Sequence, residues 1–170
     1  RMPEYEYYYT HYLEGYEKAF LVSTGANLGI RETRRILGEY VLNAQDYEKR
    51  ASFEDEIGRY CYPIDLHPLE PGAAKTKYEE DYTKGYGKGN SYGIPYRCLL
   101  PKNTENLLVA GRCISTSREM NGSTRVMPCC FITGMAAGAA AAFSKDSNVR
   151  AVSVSSLRQE LRKRGGYLPE

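Results

Sequence analysis

The densest run of chemistry-bearing side chains is "RETRR", in which Arg31, Arg34 and Arg35 crowd into five residues. In an extended segment, successive side chains alternate, so Arg31 and Arg35 share one face and Arg34 takes the other. A guanidinium fork matches a carboxylate or a hydroxyl-rich molecule, so Arg31 or Arg35 could orient a small organic substrate. The competing reading is ion pairing with Glu32, Glu39 or neighbouring loops. Tyr96 and Arg97, in "YGIPYRCLLP", form a second candidate pair. Cys129 and Cys130 lie near the start of an apolar helix, where a thiol pKa falls and a thiol relay becomes possible. Their other reading is as small buried hydrophobes. His67 follows an extended segment and could act as a base or simply sit in a loop.

These residues need elements to position them. "EYEYYYTHYLEGYEKAF" reads as a tyrosine-rich helix with one ring face inward and its hydroxyls wet. "AFLVST" reads as a short buried strand, followed after Gly25, Asn27 and Gly29 by an antiparallel partner, "GIRETRRILGEYVLN". Ser52, with Asp55 three residues on, resembles a capping box opening a short helix. "YPIDLH" reads as another strand, and residues 68–90 as a loop or flap. "YGIPYRCLLP" is extended again, and "ENLLVAG" has the pattern of a strand buried on both faces. "RVMPCCFITGMAAGAAAAF" is an apolar helix with Pro128 in its first turn, and "SSLRQELRKRGG" a surface helix that Gly165 stops.

The buried strand raises a question of backbone satisfaction, because its amides and carbonyls require neighbours on both sides. The proline-led helix raises another. The amides of Cys129, Cys130 and Phe131 point along its axis and, with the macrodipole, favour an electron-rich group by roughly 0.3–2 kcal/mol. Thr133, Gly134, Ala136, Ala137 and Gly138 make a low-relief face that another backbone or a flat ligand could approach closely. Three readings of this helix stay open here: a membrane span with a G-x-x-x-G face, a core helix on a sheet, or the wall of a cofactor site.

Composition narrows the classes. The 170 residues are 42% hydrophobic and 26% charged, with a mean hydropathy of -0.55, as expected of a globular chain. A net charge of +2 does not favour nucleic acid or an anionic membrane as partner. Five cysteines without a C-x-x-C argue against a disulfide scaffold or zinc site and for a reducing, cytoplasmic setting. His11 and His67 lack partners at metal-ligand spacing, so no metal is expected. The chain starts at Arg1 without a signal-peptide pattern and reads as a piece cut from something longer.

"LGIRETRRILGEYVLN", "YGIPYRCLLP", "ENLLVAGRCIS" and "GSTRVMPCCFITGMAAGAAAA" occur in that order. Together they resemble the C-terminal part of the FAD-dependent oxidoreductases related to fumarate reductase and succinate dehydrogenase flavoproteins, over roughly residues 18–168. The resemblance implies an α/β chain, α+β in its first lobe, forming the C-terminal portion of a two-domain, glutathione-reductase-like FAD fold. Residues 1–100 would belong to the antiparallel sheet of the substrate (cap) domain. Residues 101–145 would supply one strand and helix of the FAD domain, and 146–170 a surface helix and tail. It also implies that Gly111 and Arg112 lie by the cofactor, and that Arg125, Val126 and Met127 contact the isoalloxazine ring. Arg31, Arg35 and Arg97 would orient a small-molecule substrate for hydride transfer. The helix dipole would then face the flavin N1/C2=O edge and favour reduced flavin.

One departure is large: no G-x-G-x-x-G turn is present. "KGYGKGNSYG" has Asn90 where the third glycine belongs, and neither a buried strand before it nor a helix after it. The expectation is therefore a flavoprotein piece that lacks its N-terminal FAD-binding half, is inactive alone and carries no FAD. The rival expectation is a binding or oligomerisation module that reuses the scaffold without catalysis; a homo-oligomer is compatible with either.

Overall fold

The computed structural model describes residues 2–66, 87, 89–144 and 148–169. His67 and most of the glycine-rich 68–90 segment lie outside the described residues. The chain divides into two compact units, residues 1–30 and residues 31–170.

The first unit carries helix α1 (Met2–Tyr12), which buries no residue of its own. Tyr7 stacks on His11 with ring centroids 3.9 Å apart, and Thr10 Oγ1 donates to the Glu6 carbonyl at 2.8 Å. Both contacts are local i,i+4 pairs, which support a helix without a core. "AFLVST" is not a strand: Phe20 and Val22 are exposed, and Phe20 and Leu21 instead line a cavity with Met2, Tyr5, Tyr9 and Tyr16. A short apolar run becomes a strand only when a neighbour accepts its backbone bonds, and no ladder forms here.

The second unit is a mixture of helices around a small antiparallel sheet. Strands β1 (Glu56–Tyr60) and β2 (Tyr92–Pro95) pair in the register Gly58 with Ile94, Arg59 with Gly93 and Tyr60 with Tyr92, with a bulge between Glu56 and Gly58. Every residue of β2 is buried. A 3-10 turn, Tyr96–Leu99, follows directly. The sheet is backed by α4 (Met127–Phe143) and α5 (Val154–Lys163), which also pack on each other. Two shorter helices, α2 (Ala44–Glu48) and α3 (Arg118–Thr124), flank that core.

Local signals explain several of these elements. Ser153 accepts from the Ser156 amide at 3.3 Å to start α5, Leu157 and Leu161 form its buried stripe, and Gly165 ends it at φ +85°. A true capping box opens α2: Asn43 Oδ1 accepts from the Gln45 and Asp46 amides, and Asp46 Oδ2 accepts from the Asn43 amide at 3.0 Å.

Four further expected elements are corrected. Ser52 and Asp55 open no helix. The Glu56 amide donates to the Phe53 carbonyl at 3.1 Å, turning the chain into β1, and Asp55 is engaged by Arg97 instead. "ENLLVAG" is not a strand either. The Val109 amide reaches the Leu99 carbonyl at 2.9 Å, but no ladder follows, and Leu107 is exposed. Its apolar pattern is that of a two-sided strand, but no neighbouring strand flanks it among the described residues. "RRILGEYVLN" runs alongside two other segments without forming a regular strand. Gly38 bridges Pro101, Leu42 bridges Thr116, and the Ile36 and Leu42 amides donate to the Cys113 and Ser115 carbonyls. Gly38 permits this approach, since a Cβ there would come within 2.7 Å of Ser115 Cβ. The described part of "YPIDLH" likewise has no ladder.

Candidate functional site

The site lies where α3 meets α4. The two helices are bent by 91° at Arg125 and Val126. Arg125 closes α3, its amide donating to the Asn121 carbonyl at 3.0 Å. Val126 then takes an extended conformation (φ -88°, ψ 156°) and Pro128 stands in the first turn of α4. No side chain caps this N-terminus, and Met127 is 65% exposed. Its partial positive charge is therefore presented to solvent, suited to an anionic or electron-rich group. Among the described residues, no single helix is long and apolar enough to cross a membrane.

Around the bend the structure assembles an arginine cluster. Arg125 Nη1 donates to Glu32 Oε2 at 3.0 Å and Nη2 to the Asp65 carbonyl at 2.8 Å. Arg35 Nη1 donates to the other Glu32 oxygen at 3.1 Å, and its Nε to the Thr116 carbonyl at 3.2 Å. Arg31 reaches Asp65 Oδ2 at 3.6 Å while remaining largely exposed. Thus Glu32 is gripped by two guanidinium groups, and three arginines meet two carboxylates. Arg112 joins the group by donating from Nε to the Arg125 carbonyl at 2.9 Å. The Glu119 carboxyl nearby is held below the usual carboxylate range, first by its own amide, then by the Ser117 hydroxyl, with Arg118 and Arg35 adding to this.

Gly111 lies against α4. Its φ is +82°, which favours glycine, and a Cβ there would meet only Cys130 Sγ, at 3.9 Å. The Gly111 amide donates to Thr133 Oγ1 at 3.0 Å, and that hydroxyl donates on to the Cys129 carbonyl at 2.9 Å. The next residue is held from the other helix: Asn121 Nδ2 donates to the Arg112 carbonyl at 3.0 Å. Asn121 Oδ1 and Thr116 Oγ1 are buried without a protein partner among the described residues.

Of the residues singled out from the sequence, Arg31, Arg35, Gly111, Arg112, Arg125, Val126 and Met127 therefore fall on this one bend and its surroundings. Arg97 has a different set of partners. It forks onto Asp55 through Nε (2.9 Å) and Nη2 (3.1 Å), its guanidinium carbon lies 5.1 Å from the Tyr40 ring centre, and Asp55 holds it charged more firmly still. It lines a cleft with Tyr96 and Arg150 instead. Cys129 is fully buried, and burial pushes its thiol pKa up, opposing the helix-terminus effect; Cys130 is half-buried. Sequence reasoning offered Glu32 as an ion-pair partner for this run, and Arg35 does pair with it, but it missed the bridge from Glu32 to Arg125, and Asn121 and Thr133 as the backbone holders. Glu32 had a local signal, its i,i+3 spacing to Arg35; the other two had none.

Among curated proteins and among solved structures, nothing matches the chain. A family model does: the one described as FAD dependent oxidoreductase matches residues 1–161. The match spans both units and takes in every part of the bend, and the chain accordingly belongs to the FAD dependent oxidoreductase family.

Proposed function

We propose that this chain is the C-terminal part of a flavoprotein that transfers a hydride between FAD and a small organic substrate, and that its α3–α4 bend forms the wall next to the flavin ring. The observation carrying this reading is the uncapped, exposed N-terminus of α4, with Gly111 beside it, in a chain of this family. When bound, FAD supplies the redox chemistry.

The residues fit one end of that cofactor. The amides at the start of α4 suit the electron-rich edge of an isoalloxazine, and Gly111 lets a flat group approach the backbone. Arg112, Arg125, Val126 and Met127 would border the ring. The residues do not fit the pyrophosphate end, for which the G-x-G-x-x-G turn is missing. Met127, Phe131, Gly134 and Gly138, spaced at helical intervals, form an exposed stripe along α4. That stripe supports a further segment of the parent protein covering it, with the FAD-binding half as occupant. On this reading the chain alone is inactive and holds no FAD.

The substrate would meet Arg31, which is more exposed than Arg35 and Arg125, both held back on Glu32. Relation to fumarate reductase flavoproteins, a cytoplasmic setting and possible homo-oligomerisation belong to the same proposal. A second reading, a binding or oligomerisation module, draws on α1, whose tyrosines 5, 7, 8, 9 and 12 are all exposed.

The test is the visible spectrum of the full-length gene product that bears this chain, purified without added cofactor. Oxidised-flavin bands are the expected result. A protein that is colourless, and stays so after incubation with FAD and gel filtration, refutes the flavoenzyme reading and leaves the binding module.

A further inference from the structure

Two buried side chains outside the arginine cluster, one on each helix, hold adjacent residues of a single stretch of backbone. Thr133, on α4, is fully buried, and its hydroxyl accepts the Gly111 amide while donating to the Cys129 carbonyl. Asn121, on α3, is also fully buried, and its Nδ2 donates to the Arg112 carbonyl. The Asn121 carboxamide cannot be reversed without setting Oδ1 against that carbonyl. Its orientation is therefore fixed by Arg112, although this leaves Oδ1 with no protein partner. The Asn121 main chain meanwhile accepts the Arg125 amide. Asn121 thus links the Gly111–Arg112 turn to the corner from which α4 departs, and Thr133 links the same turn to the first two turns of α4.

We infer that Asn121 and Thr133 are positioning residues: together they clamp the Gly111–Arg112 turn onto the N-terminal end of α4, fixing the backbone wall against which the ligand would lie. This rests on the flavin reading above only for the identity of that ligand. The clamp itself is a property of the apo chain. Gly111 needs such a clamp because a glycine at positive φ resists displacement less than other residues would. Both holders are side-chain bonds to main chain, so each can be removed without altering the backbone sequence.

The test has two arms. In the first, hydrogen exchange of the Gly111 amide is followed by NMR in this chain without cofactor, comparing wild type with Thr133→Val and Thr133→Ser. The isosteric valine, lacking the hydroxyl, should speed Gly111 exchange by about tenfold or more, while serine keeps it near wild type. Equal exchange in all three overturns the clamp. In the second, FAD affinity and the flavin midpoint potential are measured on the full-length protein carrying Thr133→Val, Thr133→Ser, or Asn121→Leu, which removes the clamp and the unpartnered Oδ1 together. Weaker binding by about tenfold and a displaced potential in the valine and leucine variants, with serine restoring both, support the positioning role. Affinity and potential unchanged in folded valine and leucine variants overturn it. A wild-type protein that binds no flavin refutes the functional reading instead, and the exchange arm still decides whether the clamp exists.

Discussion

Gly58 of β1 packs against Ile132 of α4, and it offers a quantitative test of how the sheet seats the helix that carries the candidate site. A Cβ built on Gly58 would lie 2.5 Å from Ile132 Cγ2. Ordinary contacts begin near 3.4 Å, so about an ångström must be recovered. Ile132 cannot simply swing away, because a β-branched side chain in a helix has essentially one χ1 rotamer and Cγ2 is tied directly to Cβ. The helix must shift, or the rotamer must strain. Overpacking of this kind costs about 1–3 kcal/mol. Against it stands the smaller entropy of an unfolded chain with alanine, about 0.4–1 kcal/mol in favour of the fold. Gly58→Ala should therefore destabilise by about 1–2 kcal/mol net. Ile132→Leu removes Cγ2 at nearly constant volume and alone should cost less than about 1.5 kcal/mol. The two changes meet at one contact, so the double variant should be more stable than the sum of the singles predicts, with a coupling of about 1 kcal/mol or more. Urea melts of the four proteins, with m-values compared to check two-state behaviour, close the cycle. Additivity within about 0.5 kcal/mol would refute the reasoning, since it would mean that β1 and α4 do not meet through this pair.

Three further outcomes follow from buried groups. Burial, with the Asp46 hydrogen bond assisting at Tyr40, raises the Tyr40 and Tyr96 phenols from 10.0 to about 12, and burial raises Tyr60 as well. The unfolded chain loses these protons first, so stability present below pH 10 should fall as pH climbs from about 10 to about 12, less steeply in Tyr40→Phe; flat urea midpoints across that window would contradict it. Glu56 and Arg59 pair at 2.9 Å with both side chains almost wholly buried, and Arg59 also holds Ser52 and Ser91. Glu56→Ala should therefore destabilise by about 3–5 kcal/mol in a denaturant melt, by stranding a buried guanidinium; a loss below about 1 kcal/mol would show that Arg59 finds water. Finally, Cys61 and Cys113 are exposed while Cys98 and Cys129 are buried, with the Cys98 thiol pushed up to about 12. A thiol reagent on the native chain should label Cys61 and Cys113 ahead of Cys98 and Cys129, as read by mass spectrometry, and early labelling of Cys129 would overturn the packing of α4 described above.

What could be read in advance and what could not divides along sequence distance. The apolar helix with Pro128 in its first turn, the surface helix stopped by Gly165, and the extended approach to Tyr96 all rest on signals within a turn or two of each residue. A helix bonds i to i−4, so the sequence around it carries most of its specification. Even so, local signals can compete. Ser52 with Asp55 and Asn43 with Asp46 offer nearly the same spacing, and only the second pair caps a helix, because Asp55 is taken by Arg97, 42 residues further on.

Strands depend on partners elsewhere, and there the sequence is silent. "AFLVST" and "ENLLVAG" have strand-like composition but no neighbour to pair with among the described residues, whereas Glu56–Tyr60, read in advance as part of a helix, finds Tyr92–Pro95 and becomes a strand. The same holds for the candidate site. The arginines of "RETRR" and the "STRVMP" approach were visible as residues, and their order along the chain marked the family. That Arg125 joins Arg35 on the Glu32 carboxylate from 93 residues away, that Arg97 turns to Asp55 instead, and that Asn121 and Thr133 hold the Gly111–Arg112 turn were decided by tertiary structure alone. The physical reason is common to all three. A charge or a backbone polar group must find a partner when it is buried, but which partner depends on which surfaces the packed core brings together.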